Sequence, residues 1–187
     1  VSRRIRESLI KIGVPEEKIF TLPIYVDTKK FEQAEIKINL KEKYPQFDFI
    51  ILLAVRLSRE KNISLAVAAM LEVIKQYPRA GLIVVGSGQE AGKIINEIKN
   101  LKLSENIKVE SWTDDLASYY KSADLFLLSS NYEGWGLAVV EAMAAGRPVV
   151  MTDVGCAGEL VKHGETGLVV PVGEKAALSR AISEMSY

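Results

Sequence analysis

The sequence is short of the residues that build covalent or metal-bound frameworks. It has one cysteine, Cys156, and one histidine, His163, in 187 residues. A single thiol cannot close an internal disulfide, and one residue of each kind cannot make a histidine- or cysteine-based metal centre. Disulfide scaffolds and zinc modules are therefore excluded, and only carboxylate-rich metal sites stay open. An excess of charge is missing too: 24 Lys and Arg against 24 Asp and Glu give a formal net charge of +0. No global basic field is available to hold nucleic acid or an anionic membrane, so nucleic acid is not an expected partner and any anion site must be built locally. No apolar run approaches the ~20 residues of a membrane-spanning helix. The start, Val1-Ser2-Arg3-Arg4-Ile5-Arg6, has neither an initiator Met nor the apolar core of a signal peptide, which reads as a piece excised from a longer chain. Asn62-Ile63-Ser64 matches a glycosylation triplet but reads better as a helix start with Asn62 as its N-cap.

What is there is the profile of an ordinary globular chain, 48% hydrophobic and 26% charged, long enough for one well-cored domain over residues 1–187. Apolar runs bounded by turn signals recur at Phe49 to Val55, Leu82 to Val85, Ile107 to Val109, Asp124 to Leu128, Pro148 to Met151 and Leu168 to Val170. Each is short and lacks strict alternation, as strands buried on both faces should. Helical patterns lie between them. Ile63, Ala66, Val67, Met70, Leu71 and Ile74 share one helix face, and further helices are expected over Gln89 to Lys99, Leu116 to Ser122, Leu137 to Ala145 and Glu174 to Glu184. Parallel strands need crossover connections, so this alternation predicts an α/β fold, an open, doubly wound, Rossmann-like parallel sheet with helices on both faces. Ligands of such sheets bind beyond the carboxyl ends of the strands. Residues 1–48 are more polar, with a first helix near Ser2 to Ile12 and then Pro15, Pro23 and Pro45, and are expected to form a leading segment packed against the sheet.

The strand-end loops are where chemistry should sit. Arg56-Leu57-Ser58-Arg59-Glu60-Lys61-Asn62 places three cations in a loop that runs into the helix starting at Asn62. Cations beside a helix N-terminus would make a local phosphate site; loop cations are also commonly just solvated. Gly86-Ser87-Gly88-Gln89-Glu90-Ala91-Gly92 comes near a dinucleotide fingerprint, but its last glycine is one residue too far on. Its expected role is a tight turn where a ligand can approach backbone. In the stretch Ser129 to Pro148, Glu133 precedes the turn Gly134-Trp135-Gly136, and Glu141 sits among Val140, Ala142, Met143 and Ala144. A carboxylate in an apolar setting needs a partner. Glu141 either bonds nearby backbone or accepts from a ligand diol such as a ribose, and Glu133 is either a site acid or an exposed residue favoured by the helix dipole.

Several ordered blocks resemble one family. They are Val1-Ser2 with Phe20 to Phe31, Arg56 to Asn62, Gly86-Ser87-Gly88, Ala123 to Ser130, Glu133 to Glu141, Ala142 to Val150, and His163-Gly164-Glu165-Thr166-Gly167-Leu168. From Val1 to Glu184 the chain resembles the C-terminal, donor-binding half of a GT-B glycosyltransferase of family four (glycosyl transferases group 1), retaining enzymes that use nucleotide sugars. The resemblance implies that Arg56 and Lys61 grip the donor diphosphate and offset charge on the departing nucleotide. Glu133 would contact hydroxyls of the transferred sugar, the backbone of Gly134, Trp135, Gly136 and Leu137 would meet sugar and phosphate, and Glu141 would accept from the ribose. Trp112 and Thr113 lie where the family contacts the base, though Trp112 also suits plain packing. Implied as well are a nucleoside diphosphate sugar as donor, no cofactor and no obligatory metal, and an N-terminal domain that carries an acceptor (a glycan, a lipid or a small molecule). The implied setting is the cytoplasm, with any membrane contact made through that domain. A non-catalytic nucleotide- or dinucleotide-binding module is the rival reading. The chain departs from the family at Val55, where Gly is usual and a β-branched residue narrows the approach to phosphate, at Ile24-Tyr25, where Asn-Gly is usual, and at Cys156, expected to pack rather than react.

Overall fold

The computed structural model describes residues 2–22 and 26–186. Val1 and the Ile24-Tyr25 departure lie outside the described residues. The six apolar runs become strands β1 (Phe49–Ala54), β2 (Ala80–Val85), β3 (Ile107–Glu110), β4 (Leu125–Leu128), β5 (Val149–Thr152) and β6 (Leu168–Val170). They form one sheet in the order β3-β2-β1-β4-β5-β6, every neighbouring pair parallel. β1, β2, β4 and β5 are buried almost throughout, as a sheet covered on both faces requires. Asp124 and Pro148 fall just outside their expected strands, but both still serve the ladder. Asp124 exchanges backbone and carboxylate bonds with Ile50, and the Pro148 carbonyl accepts from Phe126 at 3.0 Å.

Helices α1 (Arg3–Lys11), α2 (Thr28–Glu32), α3 (Leu40–Lys43), α4 (Ile63–Gln76), α5 (Ala91–Asn100), α6 (Leu116–Ser122), α7 (Leu137–Ala144) and α8 (Lys175–Glu184) complete the cover. Helix α4 packs on α5 and α8 over one face, and α6 and α7 pack over the other. Two of these helices, α2 and α3, and two 3₁₀ turns, Glu16–Lys18 and Arg59–Lys61, had no sequence signal, because four or five residues cannot display a helical period. No helix among the described residues is long and apolar enough to cross a membrane.

Asn62 departs from its expected role. It adopts a left-handed conformation (φ 43°) and makes no side-chain cap; its Nδ2 donates instead to Asn131 Oδ1 at 2.9 Å. The 3₁₀ turn Arg59–Lys61 ends there, and Asn is among the few residues that tolerate that geometry.

The leading segment rests mainly on α6 and α7. Helix α2 packs on both, and α3 on α6. Ser118 Oγ accepts from the Lys37 amide at 2.9 Å, and Lys121 Nζ donates to the carbonyls of Glu32 (3.0 Å) and Ala34 (2.8 Å). Phe31 and Leu40 thereby enter the core. Asp124 joins the segment to the sheet: its Oδ2 accepts from the Ile50 amide at 2.8 Å and its Oδ1 pairs with Lys41 at 2.6 Å. Removing the carboxylate orphans an amide at the start of a buried strand, which costs about 1–3 kcal/mol, whereas a surface ion pair is worth about 1 kcal/mol at most. Asp124→Ala should therefore lose about 1–3 kcal/mol in urea unfolding, and Asp124→Asn, which keeps an acceptor for Ile50, less than half as much.

Candidate functional site

The strand order reverses between β1 and β4, and two loops meet there beyond the carboxyl ends. One leaves β1 at Val55 and ends in the turn Arg59–Lys61; the other leaves β4 at Ser129 and ends at Gly136, before α7. They are tied together by hydrogen bonds. Ser129 Oγ donates to the Lys61 carbonyl at 3.1 Å and the Asn131 amide to the Glu60 carbonyl at 2.7 Å. Thr152 Oγ1 on β5 donates to the Ser130 carbonyl at 2.6 Å.

Across this junction Lys61 Nζ lies 2.6 Å from Glu133 Oε1, and the two side chains are only 19% and 10% exposed. The same oxygen accepts from Ser130 Oγ at 2.7 Å. Lys61 and Glu133 are thus a shielded pair, with Ser130 as a second donor to the carboxylate, and not a solvated face. Arg56 stays exposed at the rim, within electrostatic reach of Glu60.

The junction opens into a cavity of about 700 Å³. Arg56 and Lys61 from the first loop, Glu133, Trp135 and Gly136 from the second, Leu137 and Glu141 from α7, and Trp112 after β3 all line it. Gly136 takes φ 95°, a left-handed turn that favours glycine, and it is followed at once by the first turn of α7. Orphan amides and the positive dipole end of α7 therefore open onto the cavity. Helix α4, where the sequence placed this feature, contributes no lining residue. Thr113 and Gly134 are not among the lining residues either. Thr113 Oγ1 accepts from the Asp115 amide at 3.2 Å ahead of α6, and Gly134 lies beside Ile5 of α1.

Glu141 bonds a side chain and not nearby backbone. Tyr120 donates its hydroxyl to Oε2 at 2.9 Å. Burial raises the Glu141 carboxyl above its ordinary 4.5, outweighing the Tyr120 bond and the Lys30 charge that pull it down. Ser130, Ser87 and Glu60 lie inside the blocks marked in the sequence but were not singled out within them, and Tyr120 lies outside those blocks. Cys156 is buried, and burial pushes its thiol up to about 11, so it packs as expected.

The chain resembles known proteins along nearly its whole length. The family model described as Glycosyl transferases group 1 matches residues 35–186. The chain belongs to that family. This group 1 domain is 34% identical over 172 residues to the poly(glycerol-phosphate) alpha-glucosyltransferase of Bacillus subtilis (strain 168), covering 91% of this chain and 24% of that protein. It is 28% identical over 181 residues to the N-acetyl-alpha-D-glucosaminyl L-malate synthase of Bacillus anthracis, covering 96% of this chain and 47% of that one. The chain thus spans less than half the length of these curated relatives. Anabaena HepE in complex with UDP superposes with a TM-score of 0.88 at 25% identity, over 98% of this chain and 52% of that one. The isolated C-terminal domain of the Francisella tularensis group 1 protein LpcC gives 0.71 at 22% identity, over 87% and 91%, a likeness of fold. The sheet and its two-faced cover are those of the C-terminal half of the GT-B fold.

The glycine loop of the group 1 domain packs on the domain's own first loop: a Cβ on Gly86 would lie 1.9 Å from the Val55 carbonyl oxygen, while Ser87, between Gly86 and Gly88, lines the cavity. Val55 is buried on the cavity wall.

The raised carboxyl of Glu141 has a consequence for stability. The folded state holds this proton more tightly than the unfolded state, so the Glu141 contribution is present below the unfolded value and lost as pH rises through the folded one. Glu141→Gln keeps an acceptor for Tyr120 and never ionises. Its melting temperature relative to the parent should therefore rise as pH goes from acid to mildly alkaline, measured by calorimetry on the free protein.

Proposed function

We propose that the chain binds a nucleoside diphosphate sugar in the cavity between β1 and β4 and is the donor half of a retaining glycosyltransferase. The observation that carries this reading is the set of groups that line one cavity: Arg56, Lys61 and the first turn of α7, Glu141 and Trp112, and Glu133 beside the glycine turn. That set suits a diphosphate, a nucleoside and a sugar in one continuous ligand. UDP is the first nucleotide to try, because HepE is described in complex with it.

On this reading the reaction moves a glycosyl group from the donor to an acceptor hydroxyl through an oxocarbenium-like state. Negative charge builds on the departing diphosphate, where Arg56, Lys61 and the amides of Gly136 to Ala138 offset it from fixed positions, with no obligatory metal. Glu133, anchored by Lys61 and Ser130, directs its carboxylate toward hydroxyls of the transferred sugar. Glu141 accepts from the ribose diol, and Trp112 offers its exposed face to the base. The acceptor, whether glycan, lipid or small molecule, belongs to an N-terminal domain, as does any membrane contact of a cytoplasmic enzyme. The whole domain, residues 1–48 included, is one donor-binding unit.

Charge-assisted contacts are worth roughly 1.5–3 kcal/mol each, so Arg56→Ala and Lys61→Ala should each weaken UDP by about tenfold or more and uridine far less. Calorimetry giving equal losses for both ligands would take these residues off the phosphate. Titration with NADH tests the rival reading, since tight NADH binding without binding of any sugar nucleotide would replace the present one.

A second expectation concerns catalysis. Half of a cleft cannot align an acceptor or exclude water, and both supply much of an enzyme's barrier reduction. The 187-residue chain should bind a nucleoside diphosphate at a Kd weaker than about 10 μM and transfer no sugar when incubated with candidate donors and acceptors. Saturable transfer by this chain alone would place the catalytic apparatus within it.

A further inference from the structure

Tyr120 lies on α6, ahead of β4, with none of its surface exposed. Its ring is caged. Phe31 meets it edge-on, 5.8 Å between centroids at 75°, and Phe126 of β4 lies 5.5 Å away at 57°. A ring held this way could be phenylalanine if packing were its only task, since a buried hydroxyl is costly without a partner. The partner is the Glu141 carboxylate, on a different helix and on the wall of the cavity.

That bond constrains a long side chain. Glutamate loses about 1–2 kcal/mol of rotamer freedom when it is ordered, and a site that has already ordered it binds more tightly than one that must do so on ligand contact. Tyr120 occupies Oε2; among the described residues Oε1 takes no hydrogen bond, so that oxygen is left for a ligand. The brace reaches further than the family match, which begins at residue 35. Phe31 lies on α2, and Lys121 of α6 ties itself to the end of that helix through the Glu32 and Ala34 carbonyls. Lys30, beside Phe31, adds a positive charge felt by Glu141.

We propose that Tyr120 is a positioning residue: braced by Phe31 and Phe126, its hydroxyl fixes the Glu141 carboxylate so that Oε1 accepts from the vicinal diol of a bound nucleotide. This rests on the nucleotide reading of the cavity given above. It makes α2, in the leading segment, part of the machinery that sets affinity for the ribose.

The test compares whichever of UDP, ADP and GDP binds most tightly with its 2′,3′-dideoxy analogue, by calorimetry, in the parent, Tyr120→Phe, Glu141→Gln and the double variant. In the parent the diol ligand should bind about 3- to 10-fold more tightly than the analogue. Tyr120→Phe should erase most of that preference while leaving the affinity for the dideoxy ligand unchanged, and the double variant should lose no more than Glu141→Gln alone. Phe31→Leu, which keeps the hydroxyl but loosens its brace, should lose part of the preference; this second variant stands in if Tyr120→Phe melts early. A Tyr120→Phe protein that keeps the full preference while Glu141→Gln loses it overturns the positioning role and leaves the nucleotide reading intact. A preference untouched in every variant puts the diol elsewhere and overturns the proposal alone. Failure of the parent to bind any of the three nucleotides overturns the nucleotide reading and the proposal with it.

Discussion

In a parallel sheet each strand must be followed by a crossover, and the side on which that crossover lies decides whether the strand's carboxyl end is covered. The chain leaves β1 toward β2 and β3, then returns to the other flank of β1 to lay down β4, β5 and β6. The crossovers from β1 and from β4 therefore depart to opposite faces, as α4 and α7, and the cavity opens between them. The cavity is a result of strand order. Arg56, Glu60, Lys61 and Glu133 reach it because they follow β1 or β4 in the chain, Glu141 because it rides on α7, and Ser87 and Trp112 because they follow β2 and β3.

Such a gap is a liability unless its walls are fixed. The two loops are long, and each would be free to move if it were held only at its ends. They are instead bonded across the gap, by Ser129, Asn131 and Asn62 to one another's backbone or side chains and by Lys61 to Glu133. Asn62 belongs to this tie: it turns left-handed where the 3₁₀ turn ends, and its side chain reaches across to Asn131 instead of capping α4. The β2 loop is tied to the first loop as well: the missing Cβ of Gly86 lets it press on the Val55 carbonyl, and the Leu57 amide donates to the Ser87 carbonyl at 2.8 Å.

How much of this could be read in advance follows from the range of each interaction. The strands and long helices were legible because burial on both faces writes a continuous apolar run, and one-sided burial writes a helical period. The short helices α2 and α3 were not, since their identity depends on what they pack against. The cavity residues Arg56, Lys61, Glu133 and Glu141 were recognisable through their place in ordered blocks. How they pair was not. Lys61 and Glu133 are separated by 72 residues and Tyr120 and Glu141 by 21, and only the packing of the loops and of α6 against α7 makes them neighbours. The helix dipole was assigned to α4 because a charged loop precedes it, whereas the glycine turn at Gly136 is what aims a helix end into the cavity.

The charges lining the cavity set the terms on which an anion could enter. Two cations, Arg56 and Lys61, face three carboxylates, Glu60, Glu133 and Glu141, so the lining carries a formal charge of −1 and offers no net attraction to a diphosphate. Attraction has to come from separation of the two signs. Lys61 is spent in part on Glu133, but an ammonium has three donors, so it can hold Glu133 and still turn a proton toward phosphate. Arg56 is exposed at the rim, and the amides of α7 contribute partial positive charge without any counter-ion. The carboxylates are correspondingly tied down: Glu133 by Lys61 and Ser130, Glu141 by Tyr120, and Glu60 by Ser58 at 2.5 Å. Each tie keeps a negative charge from drifting toward the place where phosphate would sit. On the proposed reading, a chain with no net charge builds an anion site by restraining its acids as much as by placing its cations, and the residues that do the restraining are as necessary to it as the cations themselves.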